Sequence, residues 1–230
     1  MLDKTAIRNA STIIVVRDRH ENPSVLMGQR GANAAFMPNK FVFPGGAMDQ
    51  ADRTVPLASN IPAPCDNRLI EDSAEDLRVG LIAAAVRELW EETGLILGSP
   101  GSWGTPPPED WQDFANAGYL PSGQHLQFVF RAITPPGRPR RFDARFFLAD
   151  AAHIQNDLDD FSRACDELSH LQWIPLTKAR SYDLPFITEV VLAEVAATIT
   201  NDAPPPSVPF FNNDDEASLF LRLHGKQLPD

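Results

Sequence analysis

The chain has 230 residues, of which 43 % are hydrophobic, a size and composition typical of one good-sized globular domain. Its formal net charge is −11 at pH 7, and its sequence pI is about 4.8. Neutralising nucleic-acid phosphates needs clustered Lys and Arg, so this balance argues against a nucleic-acid partner, and also against an anionic membrane. A phosphate-containing substrate would need a cation between it and the protein, and a divalent metal ion is the obvious candidate.

Cysteine usage and the first residues of the chain bear on the compartment. The two cysteines, Cys65 and Cys165, are far apart in sequence and have no metal-ligand spacing, which favours free thiols in a reducing compartment. The apolar run at residues 12–16 is too short for a signal peptide or a membrane span. We therefore expect a cytoplasmic protein with no membrane partner, present as a monomer or a homodimer.

The first third of the chain contains short strands and turns. Residues 11–17 are rich in β-branched side chains and predict a buried strand, and residues 25–30 predict its partner across a turn at residues 21–24. A third strand is expected at residues 40–46, where it ends in a Pro-Gly-Gly break. Residues 47 to about 72 contain prolines and show no periodicity, which indicates a long surface excursion.

A helix is expected after this excursion. The sequence "SAED" at residues 73–76 has the pattern of a capping box with Ser73 as the N-cap. The helical spacing of apolar residues continues to Thr93, and Gly94 follows at the position where many helices end in a left-handed residue. The pattern therefore predicts a helix that ends at Thr93.

The second half of the chain again mixes strands and helices. The predicted elements are a short helix at residues 109–118, strands at 126–134, 141–149 and 167–175, and a helix at 187–199. Because some neighbouring strands are joined by short turns and others by helices, we expect an α+β fold, an α/β/α sandwich with a central mixed β-sheet flanked by helices.

The expected domain organisation has one main unit. It covers residues 1–200, with an insertion at about 47–75. A proline-rich linker begins at residue 201 and leads to the amphipathic sequence "DEASLFLRL". We expect residues 201–230 to form a linker and a C-terminal helical extension that packs on the same domain.

Three glutamates stand out in the stretch "AAAVRELWEETGLIL", residues 83–97. On a helix, Glu88, Glu91 and Glu92 occupy positions i, i+3 and i+4, so they share one face and repel each other unless a cation lies among them. Arg87 is placed four residues before Glu91 and can neutralise part of this charge. On spacing alone, a solvated charged face with one ion pair explains the cluster better than a metal site does, since helices with three glutamates are common.

The sequence around these glutamates resembles the Nudix box, G-x5-E-x7-R-E-U-x-E-E-x-G-U, where U is a bulky aliphatic residue. The second half of that pattern is matched in full, at Arg87, Glu88, Leu89, Glu91, Glu92, Gly94 and Leu95. A match at seven positions is far more specific than a glutamate cluster. The chain is thus similar to the Nudix hydrolases, and the resemblance implies their fold and their chemistry.

The first half of the box departs from the family pattern. Gly46 can serve as the box glycine, but Asp52 stands six residues later where the family has Glu. The 34 residues 53–86 then stand where the family has seven, so the box is split by an insertion. Asp52 is one candidate for the first acidic position, and Asp49 and Glu75 are alternatives.

A split box of this kind resembles one branch of the family, the Nudix 19-like proteins, whose eukaryotic members are coenzyme A diphosphatases. Residues 36–46, 141–149 and 168–179 also look like that branch. A coenzyme A signature in other Nudix enzymes has two arginines; Arg30 matches the first, and Ala35 stands where the second belongs. The resemblance implies coenzyme A or an acyl-coenzyme A as the substrate.

The resemblance also implies a metal-dependent attack of water on a pyrophosphate. Such a reaction gathers negative charge, which Mg²⁺ or Mn²⁺ held by carboxylate oxygens offsets. By resemblance, Glu88, Glu91 and Glu92 are the metal ligands. One of these glutamates doubles as the catalytic base, or Glu167 from a later loop takes that role.

Other residues of the box receive supporting roles from the resemblance. Arg87 is expected to orient a glutamate by a salt bridge. Gly45 and Gly46 are expected to let the backbone approach the helix and the substrate phosphates. Arg30 is a candidate for contact with a substrate phosphate, and a surface cation at the end of a strand is its alternative reading.

Two further readings of the whole protein remain open at this stage. One is a catalytically silent Nudix-fold module that binds a ligand or has a regulatory role, which the disrupted first half of the box favours. The other is a hydrolase of free nucleotides or RNA caps. The substrate partner expected in the main reading is a small-molecule nucleotide conjugate.

Overall fold

The structure is a computed structural model that describes residues 6–213 and 218–225. Its strands are β1 (Ile7–Arg17), β2 (Ser24–Arg30), β3 (Phe41–Val42), β4 (Gly45–Ala47), β5 (Gly98–Pro100), β6 (Tyr119–Pro121), β7 (Gln127–Ile133), β8 (Arg141–Asp150), β9 (Leu168–Pro175), β10 (Val208–Asn213) and β11 (Ser218–Leu223). Its α-helices are α1 (Cys65–Leu69), α2 (Leu77–Thr93), α3 (Gln112–Asn116), α4 (Leu176–Ala179) and α5 (Phe186–Thr198). Short 3₁₀ helices occur at Ala51–Thr54, Glu109–Trp111 and Ala151–His153.

Within the described residues, nine strands form one mixed sheet around β1. This strand pairs in parallel with β8 from Ile7, opposite Arg141, to Val16, opposite Asp150, and it pairs antiparallel with β2. β7 is antiparallel to β8 and parallel to β10. The strand order is β11-β10-β7-β8-β1-β2-β3, with β4 beside β1 and β9 beside β2. The prediction of a central mixed sheet is confirmed.

Helices cover both faces of this sheet, because each strand directs apolar side chains to both sides. On one face α2 buries Leu81, Val86 and Leu89 in a core that also contains Ile13 and Phe147. On the other face the second core is formed by α5 and the opposite side chains of the same strands, among them Ile14, Phe130, Val191, Leu192 and Val195. The predicted sandwich is therefore confirmed. No helix in the described part of the chain is both long enough and apolar enough to cross a membrane.

The prediction for α2 is correct at its C-terminus and wrong at its N-terminus. Its C-terminus is as predicted: Gly94 has a φ of 75°, and its N–H donates to the carbonyl of Trp90 at 2.8 Å. Its N-terminus is at Leu77, and the N-cap Asp76 makes no side-chain capping bond. The capping-box prediction is wrong, because the Ser73 hydroxyl instead accepts a hydrogen bond from buried Arg145 at 2.9 Å.

The strand predicted at residues 40–46 is divided into β3 and β4. Pro44 lies at the break, where it has no N–H to give to a sheet. Its carbonyl accepts a hydrogen bond from the N–H of Ile13 at 2.9 Å. β4 then pairs antiparallel with β1, with Gly46 opposite Ser11. This arrangement fixes the glycine loop beside the central strand.

The excursion after β4 is more ordered than its sequence indicated. It contains one 3₁₀ helix and α1, and Val55, Ile61 and Leu69 belong to the core beneath α2. Arg131 of β7 donates to the carbonyls of Glu71 and Asp72, both at 3.1 Å. These contacts fasten the excursion to the sheet, so it is an integral layer of the fold.

The C-terminal prediction of a helix is wrong. Residues 208–213 and 218–223 form the antiparallel strands β10 and β11, which extend the main sheet from β7. Residues 215–217 of the predicted helix lie outside the described part of the chain. The physical reason is tertiary: β7 presents an unpaired edge, and strand pairing there buries Val208, Phe210 and Leu223 in the core.

Candidate active site

The glycine loop lies directly against the glutamate face of α2. The N–H of Gly45 donates to Oε2 of Glu92 at 2.8 Å. A Cβ atom on Gly46 would lie 2.5 Å from a carboxylate oxygen of Glu88, so a side chain there would displace that carboxylate. The predicted close approach of this loop to the helix is confirmed, and both positions need the small residue they have.

Arg87 is the centre of the charged cluster. Its Nη1 donates to Glu88 at 2.9 Å and to Glu91 at 3.0 Å, and its Nη2 donates to the carbonyl of Ala47 at 2.9 Å. The guanidinium is buried, and burial alone lowers its pKa. The hydrogen bond with Asp52 and the attraction of the surrounding carboxylates outweigh burial, so the pKa of Arg87 is raised and its charge is permanent. Arg87 therefore links α2 to β4.

Asp52 completes the binding of Arg87 from the opposite side. This fully buried carboxylate receives Nε and Nη2 of Arg87, both at 3.1 Å, in a two-pronged salt bridge. Its Oδ1 also accepts a hydrogen bond from Nε1 of buried Trp111 at 3.1 Å. Asp49 is half-exposed and lies 3.6 Å from Arg87. Asp52 thus supplies the main acidic partner of Arg87 in spite of the split box.

The three glutamates carry charge that their surroundings do not fully compensate. Burial, opposed by Arg87 and assisted by Glu91, raises the pKa of Glu88 to about 7. Burial also raises the pKa of Glu91, and it raises that of Glu92 further, with repulsion from Glu88 as the next cause. Oε1 of Glu92 is buried and has no hydrogen-bond partner among the described residues. A buried carboxylate without a full set of donors is stabilised by protonation or by a bound cation.

Arg30 and Glu167 lie together near the glycine loop. Their closest approach is 3.4 Å, with the Glu167 side chain mostly exposed and that of Arg30 largely covered. The charge of Glu167 adds to the raised pKa of Glu88, after burial and the nearer charges. The structure thus brings all the residues predicted for the site into one region, and it leaves their roles as predictions.

A large cavity opens on the α5 side of this region. It has a volume of about 780 Å³ and includes Gly45, Gly46, Arg30 and Glu167 in its wall. That volume falls within the range of small-molecule sites. Phe36 and Phe142, whose rings meet edge to face at 5.3 Å between centroids, line its apolar part. The cavity joins a polar end at the glycine loop to an apolar body.

A smaller cavity lies on the other side of the glutamates. It has a volume of about 270 Å³ and is lined by Trp90, Glu91, Glu109, Asp110, Asp113, Arg163 and Cys165. Glu91 therefore faces away from the large cavity, toward an acidic mouth. The negative charge of Asp110 contributes to the raised pKa of Glu91, after burial and Arg87.

The donor set fits a divalent cation. As the side chains stand, residues 6–213 and 218–225 contain no group of three or more Asp, Glu, His or Cys residues positioned to hold a metal ion. Arg87 binds Glu88 and Glu91, and the Gly45 N–H binds Glu92. Yet hard carboxylate oxygens, raised carboxyl pKa values and the unpartnered Oε1 of Glu92 match what Mg²⁺ or Mn²⁺ requires. Metal binding by Glu88, Glu91 and Glu92 stays a prediction.

Sequence reasoning missed the support around the cluster. The contact between Trp111 and Asp52 joins residues 59 positions apart and has no local signal. The contact between Phe36 and Phe142 also has no local signal in the sequence, because it depends on the pairing of distant strands. The one hint in the composition is the presence of tryptophan, whose N–H usually needs a hydrogen-bond acceptor when the ring is buried.

Comparison with known proteins finds homologues in sequence and neighbours in structure. No known family model matches the chain. The chain is 29 % identical over 179 residues to a putative nudix hydrolase 7 of Caenorhabditis elegans, a match that covers 73 % of this chain. The chain spans about half, 51 %, of that protein's length.

Solved structures are also similar to this chain. A crystal structure of a NUDIX hydrolase from Alicyclobacillus acidocaldarius superposes with a TM-score of 0.60 and 28 % identity, over 88 % of this chain and 99 % of the other. The NUDIX domain of Shewanella oneidensis NrtR, solved with ADP ribose, is more distant, at 13 % identity, a TM-score of 0.48, and 85 % and 90 % coverage.

We assign the Nudix fold to the chain, because it is similar to the Alicyclobacillus NUDIX hydrolase in structure and to the Caenorhabditis elegans homologue in sequence. The match to the second half of the Nudix box and the position of that half beside the glycine loop agree with the assignment.

Proposed function

We propose that the chain hydrolyses the pyrophosphate bond of a nucleoside diphosphate linked to another moiety, and that this conjugate is coenzyme A or an acyl-coenzyme A. The observation that carries the proposal is the charged cluster itself. Arg87 holds Glu88 and Glu91 at 2.9 and 3.0 Å beside Glu92, and the glycine loop against them forms part of the wall of a substrate-sized cavity.

Each residue of the cluster has a role in this reaction. Glu88, Glu91 and Glu92 would hold Mg²⁺ or Mn²⁺, which supplies charge neutralisation for the diphosphate and acidifies a bound water. Arg87 keeps two of these carboxylates on one side of α2, and Asp52 keeps Arg87 in place. The backbone at Gly45 and Gly46 leaves room for a phosphate to approach.

Proton transfer from the attacking water needs a base near the cluster. Glu91 or Glu88 can accept that proton, because their raised pKa values lie nearer to neutrality than those of ordinary carboxylates. Glu167, at the edge of the large cavity, is the alternative base. Arg30 stands beside Glu167 and can donate to a substrate phosphate when the two separate.

The preference for a coenzyme A conjugate rests on three observations. The split box resembles that of the Nudix 19-like branch, Arg30 occupies the first arginine position of a coenzyme A signature, and the large cavity has a volume typical of small-molecule sites. Ala35 in place of the second arginine is a departure from that signature. The two free cysteines, one of them exposed, agree with a reducing compartment such as the cytoplasm.

A substrate panel tests this proposal. The purified protein, with Mg²⁺ and separately with Mn²⁺, would be given coenzyme A, acetyl-coenzyme A, NADH, ADP-ribose, diadenosine polyphosphates and nucleoside triphosphates, and the products would be separated by chromatography. We expect 3′,5′-ADP and a phosphopantetheine from the coenzyme A compounds. Turnover of another conjugate alone would overturn the substrate assignment and leave pyrophosphate hydrolysis standing.

A catalytically silent module is the second candidate, and one observation favours it. Arg87 binds two of the three presumed metal ligands directly, so the cluster satisfies part of its own charge without a metal. Under this reading the protein binds a nucleotide conjugate and releases no product. Calorimetry that shows ligand binding in a preparation with no turnover of any compound would select it.

A further inference from the structure

The large cavity concentrates positive charge in an acidic protein. The chain has a net charge of −11, yet five cationic side chains line this one cavity, namely Arg8, Arg30, Lys40, Arg138 and Arg140. The carboxylate in the same lining is Glu167. This local excess of cations indicates that the cavity takes an anionic ligand.

Three of these cations already have acidic partners, and two do not. Arg8 pairs with Asp49, Arg30 with Glu167, and Lys40 with Asp183. Arg138 and Arg140 form no ion pair or side-chain hydrogen bond with any residue in the described part of the chain, and both are exposed at the cavity rim. The two guanidinium groups are therefore available to a ligand.

The strand register places these two arginines far from the glycine loop. Gly45 lies opposite Thr12 of β1, and Arg8 of β1 lies opposite Phe142 of β8. These two levels are four residues apart on β1, which corresponds to about 13 Å. The turn that carries Arg138 and Arg140 lies beyond the second level, before β8 begins at Arg141.

The wall between the two ends is apolar. Ala144 and Phe146 of β8, Ala132 of β7 and Phe211 of β10 line the cavity along this distance, and Ile187 of α5 lines it as well. A ligand that reaches both ends would need an anionic group at each end and an uncharged portion, such as a nucleoside, between them.

We propose that Arg138 and Arg140 form a second anion subsite, which binds a phosphomonoester of the substrate remote from the scissile diphosphate. A phosphomonoester carries close to two negative charges at neutral pH, which matches two arginines, and a guanidinium can bind its oxygens in pairs. The inference rests on the proposed function, because it assigns the other end of the cavity to the diphosphate. It adds that the substrate class is a nucleoside diphosphate conjugate with an additional phosphate.

The test compares two substrates that differ only in that phosphate, coenzyme A and 3′-dephospho-coenzyme A. The quantity measured is the ratio of their kcat/KM values for the wild type and for the Arg138→Gln/Arg140→Gln variant. We expect the wild type to prefer coenzyme A and the variant to lose about tenfold or more of that preference, since charge-assisted hydrogen bonds to phosphate are lost. An unchanged ratio would overturn the subsite.

A matched control removes the same charge elsewhere. Lys178 and Arg180 are exposed and lie outside the cavity lining, so Lys178→Gln/Arg180→Gln lowers the net charge equally. We expect this variant to keep the wild-type ratio. A fall as large as that of the cavity variant would show a general charge effect and contradict the subsite.

Direct binding separates this inference from the proposed hydrolysis. Calorimetry would compare the affinities of adenosine 3′,5′-bisphosphate and of AMP for the wild type and for the Arg138→Gln/Arg140→Gln variant. Tighter binding of the bisphosphate that the variant loses supports the subsite even in a protein that hydrolyses neither coenzyme A compound. Equal binding of the two nucleotides by the wild type would overturn the subsite whatever the outcome of the hydrolysis assay.

Discussion

At the scale of single residues, Arg87 organises the candidate site. It is one cation among four nearby carboxylates, those of Asp52, Glu88, Glu91 and, at 3.6 Å, Asp49. It donates most of its hydrogen bonds to buried carboxylates, so its position is fixed by surroundings that tolerate little rearrangement. The geometry of the glutamates therefore depends on residues outside the glutamate helix.

Asp52 and Asp49 make a matched pair for testing this dependence. We expect Asp52→Asn to lower kcat by about 10- to 100-fold, because a displaced Arg87 moves the glutamates from their positions. We also expect it to lower the free energy of unfolding by about 2 kcal/mol, through loss of a buried charged hydrogen-bond pair. Asp49→Asn, at a half-exposed side chain, should change either quantity little. Steady-state kinetics and urea titration measure both, and equal effects of the two variants would contradict the assignment.

The buried carboxyl of Glu88 predicts a pH dependence for the metal-free protein. Its pKa is about 7 in the folded state against 4.5 in the unfolded state, because burial disfavours its charged form. Its contribution to stability is fully present below the unfolded value and is lost as pH rises through 7. We expect a loss of about 2 kcal/mol in the free energy of unfolding between pH 5 and pH 8.

Denaturant titrations in the presence of a chelator measure this pH dependence. Glu88→Gln, which cannot titrate, should reduce the slope between pH 5 and pH 8, with Glu91 and Glu92 contributing the remainder, whereas Glu189→Gln on the exposed side of α5 should keep it. A wild-type slope in the Glu88 variant would show that other groups carry the dependence.

How much of the site followed from sequence depends on how local its contacts are. Arg87, Glu88, Glu91 and Glu92 lie within two helical turns, so their common face could be predicted from spacing. The choice of Asp52 over its alternatives could not be predicted, because it depends on how the 34 residues 53–86 fold back. The rim arginines of the large cavity were likewise out of reach, since strand register decides where their turn lies.

At the scale of elements, the ordered excursion between β4 and α2 supports both the candidate site and the core. It contributes Asp52 to the site and apolar residues to the core, and it is fastened by buried arginines from the sheet. Arg131 and Arg145 share the carboxylate of Asp143, at 2.8 and 3.0 Å. Arg131 also donates hydrogen bonds to two carbonyls of the excursion. Polar contacts with the sheet therefore hold a segment that has little regular secondary structure.

Removing Arg131 should loosen the excursion selectively. We expect Arg131→Met to speed amide hydrogen exchange at residues 61–73 by about tenfold or more, because two carbonyls lose their donors while Asp143 keeps Arg145. Exchange within α2 should change far less. Arg180→Met, at an exposed arginine, is the control. Uniform acceleration across the molecule would instead show a global loss of stability.

Elements were predicted well where their signals are local. The C-terminus of α2 depends on Gly94 and was predicted, as were α5 and the hairpin of β7 and β8. The N-terminus of α2 was not predicted, since the Ser73 hydroxyl accepts a hydrogen bond from Arg145, a residue 72 positions away. The C-terminal strands were mistaken for a helix because apolar residues in "SLFLRL" suit either period, and only the open edge of β7 decides between them.

At the scale of the whole molecule, one sheet connects the site to the C-terminal hairpin. β1 carries the glycine loop on its flank, β8 forms the cavity wall, and β10 completes that wall with Phe211. The C-terminal hairpin is therefore part of the structure that shapes the cavity.

Truncation tests this view of the C-terminal segment. A chain that ends at residue 203 loses β10 and β11, which uncovers the edge of β7 and removes Val208, Phe210 and Leu223 from the core. We expect it to be largely insoluble or to unfold at least 10 °C lower, as several kcal/mol are lost. A chain that ends at Gly225 is the control. Equal thermal midpoints and yields for the two truncations would contradict an integral role.

The central claim is that the glutamates of α2 carry out pyrophosphate hydrolysis. Its most direct test is a hydrolysis assay with coenzyme A and Mg²⁺ or Mn²⁺ on wild type, Glu91→Gln, Glu92→Gln and the control Glu189→Gln, with circular dichroism to verify folding. We expect turnover in the wild type and the control, and a loss of turnover by orders of magnitude in the two folded α2 variants. Full activity in both α2 variants would contradict it.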